Sequence, residues 1–261
     1  MKTIAISNIK GGVTKTTTGA TLAAGLNAKG YKVLMIDADP QMNLTMCFMS
    51  EPEEGTPSLY HFFKGEKTFT EIKKEIKPNL DLIIGDFELF EADLEFYKKT
   101  GSVKLVKNEL RKLASDYDYC IIDTPTTAGF LTLNAYYACD CIITPMTADS
   151  FSLRATRLLR RKITEVENDE ERKITVLGIL LAKYSDRTTA AKLLEDNCNA
   201  TAEILGTTLF NTRVRQATVV IESQIAKMDL FDYSPKSPVT LEYQQFVDEV
   251  IERMEVLHNG K

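Results

Sequence analysis

Histidine is scarce in this chain: there are two, His61 and His258, far apart in sequence. A histidine-based metal centre or catalytic triad finds no support in that pair, and each reads as a surface residue. The five cysteines, Cys47, Cys120, Cys139, Cys141 and Cys198, lack the paired short spacings that chelate zinc or an iron–sulfur cluster, which favours a reduced cytosol. Cys139-Asp140-Cys141, the only close pair, opens the apolar run Ile142-Ile143, so its thiols read as small strand residues. No run of about 18 apolar residues occurs, and Met1-Lys2 leads straight into a strand rather than into a cleavable leader. The expectation is a soluble, cytoplasmic chain. Positive charge is not in excess either: the net charge of −5 excludes a surface coated in basic residues, although one basic face can still meet nucleic acid. Repeats, low-complexity tracts and Pro/Gly-rich linkers are also missing, which makes 1–261 a single expected domain.

What is present is alternation. Strand-like runs at Thr3–Ser7, Lys32–Ile36, Leu80–Ile84, Asp118–Ile122, Cys141–Thr144, Val176–Leu181 and Thr207–Phe210 alternate with helix-like segments. The first of those helices runs from Lys15 to Lys29 and stops at Gly30. The pattern predicts an α/β fold: a mostly parallel, twisted sheet with helices on both faces. Ligands of such a sheet bind beyond the carboxyl ends of its strands. Ser50 to Pro57 (SEPEEGTP) is the most loop-like stretch, and Thr240 to Leu257 has the apolar spacing of a core-packed helix.

The first strand is followed by NIKGGVTKTTT, Asn8 to Thr18. The common phosphate loop is G-x-x-x-x-G-K-S/T; here Ile9 and Thr14 replace both outer glycines, but Gly11-Gly12 and Lys15-Thr16 remain in a strand–loop–helix context. In that context backbone N–H groups and the helix N-terminus face an anion. Lys15 reaches the β- and γ-phosphates, and the Thr16 hydroxyl reaches Mg²⁺. Two further segments fit. DADPQMNLT follows the second strand, with Asp37 and Asp39, and YDYCIIDTPTT closes a later apolar strand on Asp123. A carboxylate at the end of a buried strand is costly without a cation to meet it, and Mg²⁺ is the natural partner.

Together, K-G-G-x-x-K-T-T, D-x-D-P-Q-x-N and I-I-D-T-P resemble the ParA-type partition ATPases, the deviant-Walker P-loop NTPases that also include MinD and the nitrogenase iron protein. The likeness continues through GFLTLNAYYACDCIITPMTADSFSL, GILLAKYSDRTT and FDYSPKSPVTLEYQQF. The resemblance implies an ATPase using ATP and Mg²⁺. Lys10, Gly11, Gly12, Val13, Thr14, Lys15, Thr16 and Thr17 would hold the nucleotide, and Asn211, where relatives often carry proline, would stand near adenine. Lys10 would reach across a homodimer interface to the partner's phosphates, Asp39 would orient or activate the attacking water, and Thr16, Asp37 and Asp123 would serve the metal. Thr14 departs from the pattern. A left-handed backbone there costs a β-branched residue about 1–3 kcal/mol and puts nucleotide affinity in question, whereas a helical one leaves the N–H aimed at phosphate.

The same resemblance implies non-specific double-stranded DNA binding by the ATP dimer, with Arg187, Arg213 and Arg215 at matching places. It also implies a nucleoid location and a ParB-type centromere-binding partner. A further basic face, Arg154, Arg157 and Arg161, starts a helix that ends in the acidic ENDEE; it reads as a solvated face or as an extra DNA or dimer contact. A MinD-like membrane switch would need a basic amphipathic tail, and this tail carries Glu242, Asp248, Glu249, Glu252 and Glu255, so no membrane is expected. A MinD-like positioning ATPase, a ligase with a small-molecule acceptor, and a nucleotide switch whose hydrolysis Thr14 impairs are the alternatives.

Overall fold

Apolar strands with no polar face need cover on both sides, and the computed structural model, which describes residues 1–147, 152–184 and 189–259, provides it. In chain order the elements are β1 (Lys2–Ile6), α1 (Lys15–Ala28), β2 (Val33–Asp37), α2 (Asn43–Phe48), α3 (Leu59–Phe63), α4 (Phe69–Ile72), β3 (Lys73–Lys77), β4 (Leu80–Ile83), α5 (Leu89–Phe96), α6 (Leu105–Lys112), β5 (Tyr119–Asp123), α7 (Phe130–Ala138), β6 (Cys141–Met146), α8 (Leu153–Glu170), β7 (Thr175–Tyr184), α9 (Thr189–Leu205), β8 (Leu209–Arg215), α10 (Thr218–Ile225), α11 (Leu230–Tyr233) and α12 (Pro238–Asn259). The strands form one sheet in the order β3-β4-β2-β5-β1-β6-β7-β8. All pairs are parallel except β3 with β4, so the mostly parallel α/β sheet expected from the alternation is what forms.

Strand side chains alternate between two cores. Ala5, Leu34, Ile36, Cys120 and Ile122 face α3 to α9; Ile4, Ile6, Val33, Met35 and Ile121 face α1, α2 and α12. Where α1 crosses α12 the backbones come close. A Cβ built on Gly25 would lie 2.6 Å from Val247 and 2.9 Å from Phe231, so only glycine fits without a shift there. All five cysteines are buried and outside any disulfide, Cys120 and Cys141 inside strands. Both histidines are half-buried rather than on the surface, and His61 helps to cap α3, its Nδ1 accepting from the Ser58 N–H at 3.3 Å.

Two edges differ from the sequence reading. The charged KKEIK segment forms β3, an antiparallel edge strand. Its lysines give no apolar alternation to detect, and they suit an edge that must not recruit further strands. At the other edge, β8 runs on to Arg215, well past Phe210. Its register against β7 slips between Leu209 and Arg213, and the Glu249 carboxylate accepts the Asn211 and Thr212 N–H groups at 2.8 and 3.0 Å. Glu242 accepts the Arg215 N–H at 2.9 Å. The acidic residues of α12 thus serve the sheet edge. Among the described residues no helix is long and apolar enough to cross a membrane.

Candidate nucleotide site

Register places the carboxylates. β5 lies between β1 and β2, and its last residue, Asp123, pairs with Asp37 on one side and with Ile6 on the other. Two fully buried acids therefore stand on adjacent strands, about 4.8 Å apart at the backbone, beside the loop that leaves β1. The loop turns back over them. Thr16, in the first turn of α1, donates its hydroxyl to Asp123 Oδ2 at 2.6 Å, and Asp123 Oδ1 is buried with no hydrogen-bond partner among the described residues.

The electrostatics follow from burial. Desolvation, reinforced by Asp37, drives the Asp123 pKa well above the carboxylate range, against the Thr16 hydrogen bond and the Lys15 charge. Asp37 is pushed up to about 6 by desolvation, although Thr45 N–H, Thr45 Oγ1 and Asp39 N–H all donate to it. Lys15 is itself buried, and desolvation lowers its pKa while Asp123 and Asp39 hold it up. The lysine and two acids thus share a region that water reaches poorly, a high-energy arrangement until an anion and a cation are added together.

Around them opens a cleft of about 790 Å³, lined by Gly11 through Thr17, Asp39 and Thr126 on one side and by Val214, Gln216, Gln224 and Lys227 on the other. Gly12 takes φ +77°. Thr14 is also left-handed, φ 69°, ψ 22°, so of the two backbone alternatives the strained one is found. Its hydroxyl lies 3.4 Å from Thr18 Oγ1, along the helix start. Thr14→Gly is expected to raise stability by about 1 kcal/mol, the relief of strain less the entropy that glycine adds to the unfolded chain. Nucleotide affinity should change less than about threefold, because the N–H keeps its direction. Urea unfolding and calorimetric titration of the two proteins measure both effects.

Not every expected residue arrives. Asn211 is exposed on β8, its N–H on Glu249, and does not line the cleft. Its placement in a turn came from ending that strand at Phe210. Arg187 lies outside the described residues. Arg213 is paired with Glu195 at 2.5 Å and stacks over Tyr184 at 4.8 Å; Arg215 is paired with Glu242 at 2.6 Å and borders the cleft. Arg154, Arg157 and Arg161 are exposed along α8. Lys10, half-buried, precedes the lining residue Gly11, its N–H on Asn8 Oδ1 at 3.0 Å.

The sequence reading also missed contributors. Gln224 donates to Thr17 Oγ1 at 3.2 Å, and Lys227, itself left-handed, donates to the Met46 carbonyl in α2. Helix α10 and the turn after it thereby tie α1 to the segment following Asp39. No local motif marks either residue; their partners are about 200 positions away in sequence, and only the fold brings them together.

Comparison with known proteins agrees with this geometry. A family model described as an AAA domain matches residues 1–176. The chromosome-partitioning ATPase Soj of Thermus thermophilus is 29% identical over 98% of this chain and 97% of its own length. The sporulation initiation inhibitor protein Soj of Bacillus subtilis is 32% identical over 72% of this chain and 74% of its own. Among solved structures, the cobyrinic acid a,c-diamide synthase of Mycobacterium smegmatis with bound ADP and magnesium superposes with a TM-score of 0.83 at 25% identity, covering 98% of this chain and 96% of that one.

Proposed function

The chain belongs to the AAA-domain, ParA/Soj-type family of P-loop ATPases, and from that membership we propose that it is an ATP-dependent, dimerising DNA-partition ATPase, hydrolysing ATP to ADP and phosphate as it segregates a plasmid, chromosome or mobile element. One observation carries the reading. The register that sets Asp37 beside Asp123, with Thr16 at 2.6 Å and Lys15 buried beside them, supports a site for a phosphate chain and a cation together.

The donor set fits Mg²⁺: a threonine hydroxyl and carboxylate oxygens, all hard ligands, one of them the unpartnered Asp123 Oδ1. Thr16 and Asp123 would hold the ion, with Asp37 supporting them and the segment that follows β2. When bound, the ion neutralises charge on the phosphates. The backbone from Gly11 to Thr17 would cradle the phosphates, with Lys15 on the β- and γ-oxygens. Asp39, whose Oδ1 accepts the Gln41 N–H at 3.0 Å, would orient the attacking water. Lys10 would cross to the second copy's nucleotide, much as an arginine finger does. Arg213 and Arg215 would meet DNA phosphates by exchanging their carboxylate partners, which makes binding strongly salt-dependent. A ParB-type partner would complete the stimulation of hydrolysis.

Phosphate release measured with and without duplex DNA tests this. Wild type is expected to release phosphate slowly and faster on DNA. Asp39→Ala should fall about 100-fold, to background, while retaining ATP as a dimer on DNA. A ligase with a small-molecule acceptor would ignore DNA. The strained backbone at Thr14 favours one second reading, a nucleotide switch with impaired hydrolysis, which would bind ATP and release nothing in either condition.

A further inference from the structure

We infer that Thr45 is a positioning residue of the nucleotide site: it takes one oxygen of Asp37 for the fold and leaves the other to serve the metal. The inference rests on the reading above that Asp37 supports Mg²⁺. Thr45 ends the segment DADPQMNLT and stands in the first turn of α2, wholly buried. Its N–H and its hydroxyl both donate to Asp37 Oδ2, at 2.7 and 2.8 Å. Oδ1 receives a single donor, the Asp39 N–H at 3.2 Å.

The uneven sharing is what points to a ligand. A buried carboxylate that only had to be satisfied would gain most from donors spread over both oxygens, each of which accepts two. Here Oδ2 is full, and Oδ1 keeps room for one more donor. A water of the ion's shell is such a donor, since Mg²⁺ keeps several of its waters when bound.

Thr45 is itself fully engaged. Its hydroxyl has one proton, given to Asp37, and its oxygen accepts the Gly85 N–H at 3.1 Å. Gly85 follows β4, the strand paired with β2, and closes the other side of the carboxylate. A Cβ built there would lie 3.1 Å from Asp37 Cγ and 3.2 Å from the Asp37 and Asp39 carbonyl oxygens. Hydrogen bonds from Thr45 and contact with the bare Gly85 backbone thus fix how Asp37 is turned. Groups that orient a metal's ligands in this way set its affinity nearly as strongly as the ligands do.

Thr45→Val keeps the shape and removes the hydroxyl. The Mg²⁺ concentration that half-saturates ATPγS binding, read by isothermal titration at graded Mg²⁺, should rise about 10- to 100-fold. In EDTA its ATPγS affinity should stay within about twofold of wild type, because the backbone cradle and Lys15 are untouched. Thr45→Ser, which restores the hydroxyl, should return the Mg²⁺ dependence to within about threefold of wild type. Gly85→Ala keeps every hydrogen-bonding group and adds a methyl against Asp37; it should raise the Mg²⁺ requirement about tenfold, and it carries the test if Thr45→Val fails to fold, which ligand-free melting reports. A folded Thr45→Val or Gly85→Ala with the Mg²⁺ dependence of wild type overturns the inference, as does a Thr45→Ser no better than Thr45→Val, and each leaves the ATPase reading standing. A wild type whose ATPγS binding ignores Mg²⁺ overturns the metal reading and this inference with it.

Discussion

Lys15→Ala is expected to weaken nucleotide binding at least about 100-fold, close to 3 kcal/mol, with no measurable phosphate release. The lysine is not a surface cation that a neighbour could replace. It is buried beside Asp123 and Asp39, and its charge offsets carboxylates that, alongside the metal, must be compensated before a triphosphate can enter. Without it, an incoming phosphate chain meets uncompensated acids in a poorly solvated cleft, where like-charge contacts are costly. Isothermal titration with Mg-ATPγS measures the loss. A variant binding within tenfold of wild type would remove Lys15 from the site.

Asp123→Asn is expected to move folding and ligand binding in opposite directions. In the unfolded chain an aspartate releases its proton near pH 4. In the fold, Asp37 holds its proton to about pH 6 and Asp123 is shifted the same way. Between those values the folded state binds more protons, so ligand-free stability is full below about pH 4 and falls as pH rises through about 6. For Asp37 alone the loss is roughly 3 kcal/mol. Neutralising Asp123 removes one of the two facing charges. The melting temperature of the ligand-free variant at pH 8 should then exceed wild type by a few degrees, about 1–2 kcal/mol, and its decline with pH should flatten. The stabilisation by Mg-ATPγS, which in wild type should grow as the acids ionise, should vanish. Thermal melts from pH 5 to 8, with and without Mg-nucleotide, show both effects. This is the trade expected where a site keeps charges that the fold alone would discard.

The sequence made some of this legible and hid the rest for physical reasons. The placement of Lys15, Thr16, Asp37 and Asp123 at one end of the sheet was legible because each is fixed by its own strand end or loop, and contiguous residues write such features in order. The parallel sheet could be found because buried strands read as apolar runs. β3 could not, since an edge strand of lysines carries no such run. Asn211 was misplaced because a register slip on β8, held by Glu249 on a distant helix, lengthened a strand whose sequence looked finished. Gln224 and Lys227 were invisible for a similar reason: their partners, Thr17 and Met46, lie far away along the chain. Thr14 stood out as an irregularity, but only backbone angles could show which of its two conformations the loop takes.

The carboxylates that α12 lends to β8 also bear on how the chain can be cut. Glu249 and Glu242 occupy N–H groups that would otherwise offer themselves to a passing strand, and Arg253 donates to the Leu177 and Leu209 carbonyls beside them. A truncated chain ending before Pro238 would lose these plugs at once and leave a bare template for cross-chain zippering. Such a fragment should precipitate from the soluble fraction as it is made, so the last helix acts as the sheet's guard against fibrils.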